Sequence, residues 1–267
     1  MALRKNMKHK KKSPLKDKPL RYVGQSVDEK IDQLINDGEL PYFLISVLAF
    51  YLAGYEWWRY FNNPPPSPKI VTLLAILIIA FSIYKIRKIR TKIKRLELGR
   101  DGERAVGQFL DNLRTNGYCI YHDIIGDRFN IDHVIISKKG IYVIETKTYS
   151  KPCNGNPKIY YDGKKLKIDG LGTLTKPIIQ VNTSSQWLIK LLQKKTGKKF
   201  SIKPVILFPG WFVHSTEEGK KANTWVLNPK ALPTYIANQP DIISEEDIKL
   251  VSYCISRYIR TKYSSCL

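Results

Sequence analysis

Three charged side chains, Asp132, Glu145 and Lys147, stand at the ends of residues 131–147, IDHVIISKKGIYVIETK, a largely apolar stretch broken in the middle by Lys138 and Lys139. Residues 134–136 and 141–144 are β-branched or aromatic, and Lys138-Lys139-Gly140 carries turn chemistry, so the stretch reads as two strands of a hairpin. Apolar residues occupy both parities, which predicts cover on both faces of the sheet. If Lys138 and Lys139 are the two central turn residues, Ser137 faces Gly140 and Asp132 faces Glu145, with Cβ atoms roughly 5 Å apart. Lys147 then shares the face of Glu145. A bulge at Gly140 would instead set Asp132 against Thr146. Two facing carboxylates in a sheet are unfavourable unless a positive group joins them. A hard divalent cation prefers such oxygens, and a neighbouring ammonium can steer a phosphate or take a proton from water. The same three residues also suit a solvated sheet end, where they would do no chemistry.

The elements that must hold this hairpin follow on either side. Residues 103–113 read as a helix with Val106, Phe109, Leu110 and Leu113 on one face and Gly117 beyond its end. Residues 118–125 read as a strand and 159–168 as a hairpin turning at Asp162-Gly163. Residues 183–196 read as an amphipathic helix and 204–208 as an apolar strand; 224–227 suit another. A last helix begins at Ser244 with Asp247 three residues on, its stripe being Ile248, Val251, Ile255 and Ile259. Helix, three strands, helix and strand make an α/β sandwich. His133 points to the opposite face from Asp132 and reads as a packed or hydrogen-bonded histidine. Glu103 alone reads as a carboxylate favoured by a helix N-terminus.

The chain has 267 residues and a formal net charge of +22, which calls for an anionic partner, nucleic acid or acidic lipid. The cysteines, Cys119, Cys153, Cys254 and Cys266, form no CxxC pair, which speaks against a zinc knuckle or a disulfide framework. Residues 1–21 form a basic tail expected to be disordered and suited to anionic headgroups. Residues 26–37 suit a short amphipathic helix with Ser26 and Glu29 as a capping box and Gly38 as its end. Two apolar segments follow, spanning about 41–61 and 68–85, separated by a Pro-rich link at 62–68. Trp57, Trp58 and Tyr60 suit an interface, and Lys69 and Lys85 can snorkel. The basic residues that flank the pair place both ends in the cytoplasm.

Residues 99–106, GRDGERAV, then Ile131-Asp132-His133-Val134, then residues 140–147, GIYVIETK, occur in order at close spacing. Together they resemble the NERD, or nuclease-related, domain, which is placed with the PD-(D/E)xK restriction-endonuclease-like fold. The resemblance covers residues 96 to about 209. It implies a mixed sheet flanked by helices. It also implies catalytic roles for Glu103, Asp132, Glu145 and Lys147, with Mg²⁺ or Mn²⁺ held by Asp132 and Glu145. Gln180 occupies the place of an accessory glutamine. The organisation expected is a tail with a short helix (1–38), a transmembrane helical hairpin (39–86), a basic linker (87–95), the nuclease-like domain (96–230) and a C-terminal extension (231–267). The expected function is a nuclease acting on DNA or RNA, multi-pass in the cell membrane with its domain in the cytoplasm. The alternative is a non-catalytic, membrane-tethered module of the same fold that binds nucleic acid or serves in assembly. Oligomeric state is not legible.

Overall fold

The computed structural model describes residues 20–62, 68–152 and 157–264. The basic tail before residue 20, most of the Pro-rich link and residues 153–156 of the loop after Lys147 lie outside these. Helix α1 (Gln25–Gln33) widens into a π-helical turn (Leu34–Glu39) and runs on as α2 (Leu40–Asn62). Gly38 therefore does not end the first helix as its type suggested. It lies against α3 (Pro68–Asp111), where an added Cβ would meet Ile89 at 3.2 Å. Close packing of neighbouring helices explains this glycine better than capping does.

Helices α2 and α3 are long and apolar enough to cross a membrane. They pack antiparallel: Tyr42 meets Phe81 edge to face, Trp57 Nε1 donates to Thr72 Oγ1 at 2.8 Å, and Arg90 pairs with Glu39 at 2.5 Å. The basic stretch 87–95 is not a linker between two elements. It is the middle of α3, a single helix of 44 residues that starts apolar and ends by delivering Glu103 to the globular part. No proline interrupts 85–103, and its straight-chain basic residues favour a helix that runs on through Gly99 and Gly102.

The globular part has two sheets. The five-stranded mixed sheet has the order β1 (Cys119–Ile125), β2 (Asn130–Ser137), β3 (Gly140–Thr146), β7 (Ile202–Leu207), β9 (Trp225–Leu227). Strands β1, β2 and β3 are antiparallel neighbours, whereas β7 and β9 run parallel to β3. The hairpin register places Ser137 opposite Gly140 without a bulge. One face carries Val134, Ile136, Ile141, Val143 and Ile206 against α4 (Lys176–Thr196) and α7 (Glu245–Ser264). The other carries Ile135, Tyr142, Ile144, Val205 and Leu207 against the end of α3 and α6 (Leu232–Ala237). Cover on both faces is what the double parity of apolar residues demands.

A second, four-stranded sheet was only half legible in the sequence. Its order is β6 (Gly172–Leu174), β5 (Leu166–Ile168), β4 (Lys158–Tyr161), β8 (Phe212–Ser215). The β4–β5 hairpin turns where Asp162-Gly163 predicts. Strands β6 and β8 are short and expose residues on their outer face, so neither shows a periodic apolar signal. The short helix α5 (Glu217–Lys221) follows β8, its N-terminus capped by Thr216.

Candidate active site

Strand register brings the predicted residues to one end of the larger sheet. His133 pairs with Ile144, so Asp132 and Glu145 occupy the next positions, where the strands begin to part. There Asp132 Oδ2 accepts a hydrogen bond of 2.7 Å from the backbone N–H of Thr146. The Glu145 side chain is almost completely buried, and its Oε1 is gripped twice, by Lys147 Nζ at 2.5 Å and by Gln180 Nε2 at 2.6 Å. Gln180 comes from the first turns of α4. The backbone N–H of Lys147 is tied to Leu207 O at 2.9 Å, which fixes the strand end beneath the lysine.

Glu103 reaches the cluster from α3. The approach is possible because Gly102 has no side chain: a Cβ there would lie 1.7 Å from Thr148 Oγ1, next to Lys147. The Gly-Glu pair thus reads as a contact point followed by its cargo.

Charge in this cluster is only partly compensated by Lys147. Burial, then the nearness of Asp123 and Glu145, pushes the Glu103 carboxyl up to about 7 despite Lys147. Burial, then Glu145 and Glu103, pushes Asp132 well above the ordinary aspartate range, and burial also raises Glu145 against the pull of Lys147. Burial pulls Lys147 down, but Glu145 and Asp132 overcome it and hold the ammonium charged. Perturbed carboxyls gathered in one place mark a site that expects a cation or a proton.

One acid escaped sequence reasoning. Asp123 lies on β1 in the position facing Asp132, with φ at +49°, a left-handed backbone rare outside glycine. Its carboxylate is held by α1 and the residues before it. Arg21 Nε donates at 2.6 Å, Ser26 N at 2.9 Å and Ser26 Oγ at 2.5 Å. Arg21, assigned by composition to a disordered tail, is instead a buried partner of this acid, and it also pairs with Glu29 at 3.0 Å. Ser26 and Glu29 therefore form no capping box, because both are spent on this network. Asp28 adds bonds to Arg100 at 3.2 Å and Arg104 at 2.5 Å, and Val23 fits against Gly107. No signal could have found this site, since a lone aspartate inside an apolar strand pattern says nothing of a partner 102 residues away.

His133 lies on the opposite face from Asp132. Its Nδ1 is 2.8 Å from Nδ1 of His122, whose Nε2 is 3.1 Å from Asp111. If His122 gives its Nε2 proton to Asp111, its Nδ1 accepts from His133. Burial, the largest influence on each, lowers the pKa of both rings and keeps them neutral.

Among the described residues, no three His, Cys, Asp or Glu side chains converge tightly enough to form a metal-binding group on their own. Two neighbouring carboxylates are nevertheless a donor set that suits Mg²⁺, which takes one or two carboxylates plus substrate phosphate. Asp132 Oδ1 and Glu145 Oε2 make no hydrogen bond to the described residues, so one oxygen of each acid is available as a donor.

The domain is a mixed sheet flanked by helices, with two acids and a lysine gathered at one end. Residues 98–209 match the family model described as the nuclease-related domain, NERD. An uncharacterized protein of Bacillus anthracis is 32% identical over 91 residues, which cover 32% of this chain and 40% of that protein. The chain thus spans less than half the length of this curated relative. No solved structure matches it.

Proposed function

We propose that the protein is a membrane-anchored, Mg²⁺- or Mn²⁺-dependent nuclease that hydrolyses phosphodiester bonds in DNA or RNA. The observation that carries this reading is the gathering of Asp132, Glu145, Lys147 and Glu103 at one sheet end, with Gln180 bonded to Glu145. Asp132 and Glu145 would hold the metal, whose chemistry when bound is to polarise the phosphoryl oxygens and lower the pKa of water. Lys147 presents a charged ammonium, held toward Glu145, that can orient a phosphate oxygen or the attacking water. Gln180 fixes Glu145 through Oε1 and leaves its second oxygen without a bond to the described residues. Glu103, with a pKa near neutrality, can accept or return a proton at the edge of the cluster. The two apolar helices would anchor this domain, with the basic stretch of α3 against the anionic inner leaflet.

Purified full-length protein in detergent, given Mg²⁺ or Mn²⁺ and labelled DNA and RNA, tests the proposal. Cleavage is expected with the metal and absent with EDTA. Asp132→Asn and Lys147→Ala each lower the rate by roughly 10²–10⁴-fold. Salt-sensitive binding without cleavage under either metal would select the non-catalytic, tethered nucleic-acid-binding module instead. The full chain is the right material: cutting at residue 96 would divide α3 and remove the groups that hold Asp123.

A further inference from the structure

Among the described residues, the outer face of the smaller sheet has no partner. Across its four strands one row reads Thr173, Lys167, Tyr160, His214, and beside it Lys158 pairs with Phe212. Tyr160 is 40% exposed and Phe212 61%, although both sit on regular strands with fully buried neighbours such as Ile159. The rings stay accessible and ordered: Tyr160 meets His214 edge to face at 5.8 Å, and Lys158 Nζ lies 5.6 Å from the centre of Phe212. The two nearest acids face the backbone. Asp162 accepts from the N–H groups of Lys164 and Lys165, and Asp169 accepts from the N–H of Lys158. Three flat rings and two lysines thus lie on one surface, and the carboxylate that shares it, Asp169 opposite Lys158, is taken up by the backbone N–H of Lys158.

A cleft of about 600 Å³, lined by Lys151, Pro152, Lys158, Trp211 and Phe212, adjoins this face. Trp211 Nε1 donates to the carbonyl of Tyr149, two residues past Lys147, at 3.2 Å. Lys151 bonds to Gly210 O, which holds its ammonium 5.5 Å from the Trp211 ring.

We propose that this sheet face is a stacking platform for single-stranded nucleic acid, which it passes through the cleft to the acid–lysine cluster. Unpaired bases offer π-faces that exposed aromatic rings take in any sequence, while lysines alongside follow the phosphates. Duplex DNA hides its bases and could use only the lysines. The inference deepens the nuclease reading by naming its substrate as single-stranded.

The test uses full-length protein in detergent with EDTA, so that binding is read without cleavage. The probes are short fluorescent single-stranded DNA, single-stranded RNA and duplex DNA. The single strands are expected to bind more tightly than the duplex. Phe212→Ala with Tyr160→Ala should weaken single-strand binding roughly tenfold or more and leave duplex binding unchanged. Lys158→Ala with Lys167→Ala should reduce the salt slope by about 1–2 for every probe. Single-strand affinity unchanged by loss of both rings overturns the proposal. So does a loss seen only on vesicles of anionic lipid, which would mark a membrane-contact face. The nuclease reading fails separately, if Asp132→Asn still cleaves, because that residue lies outside the platform.

Discussion

Neighbouring residues of β2 lead to two buried polar clusters that differ in kind. On one face Asp132 joins Glu145 and Glu103, carboxylates whose repulsion is only partly met by Lys147. On the other, His133, His122 and Asp111 form a chain in which donors and acceptors alternate and the rings stay neutral. The histidine chain leaves only His133 Nε2 without a partner among the described residues. The acid cluster leaves an oxygen on each of two acids and a surplus of negative charge. A polar group satisfied inside the fold serves the fold; like charges held together at an open sheet end cost stability and imply a ligand.

Four expectations can break or sharpen this contrast. The largest concerns the strap that closes the acid side. Asp123→Ala leaves the buried Arg21 without its nearest anion and should cost about 3–5 kcal/mol, read by chemical denaturation in detergent. A loss under 1 kcal/mol would mean that α1 is not locked to the site.

The second is the pH dependence of the acid cluster. Glu103 titrates at about 7 in the fold against an ordinary value of 4.5, so the folded state holds the proton more tightly. Its contribution to stability is complete below about 4.5 and is lost as pH rises through about 7, on the order of 1–3 kcal/mol. Mg²⁺ should restore this loss at pH 8 and do little at pH 5, in thermal melts of wild type. Glu103→Gln should flatten the curve.

Third, Gly102→Ala forces a methyl into Thr148 and should cost about 1–3 kcal/mol while displacing Glu103. Adding Thr148→Gly should recover most of it. Smallest is the effect on the histidine side. Replacing His122 and His133 together by Leu should change stability by about 1 kcal/mol or less and leave cleavage unaltered, whereas losing His133 alone strands its partner. Loss of cleavage in the double variant would move the functional centre to that face.

The hairpin was legible because a two-residue turn and a period of two fix its register, and that register alone brings Asp132 to Glu145. Gln180 was legible only through the family resemblance. Asp123, Arg21 and Ser26 were not, because their bonds join segments about 100 residues apart and composition made Arg21 one more basic tail residue. The single helix α3 was hidden by a change of composition along its length: an apolar half and a basic half look like two elements when each is read by its own polarity. Strand β8 lacked both length and an apolar face, and its exposed rings are what the smaller sheet offers to a partner.

Titration of Mn²⁺ into the full-length protein at pH 8, followed by calorimetry, addresses the acid cluster most directly. Wild type should bind saturably, and Asp132→Asn and Glu145→Gln should each abolish that binding while His133→Leu preserves it. Binding that survives both acid substitutions, or no binding in wild type, would contradict a metal held between these two carboxylates.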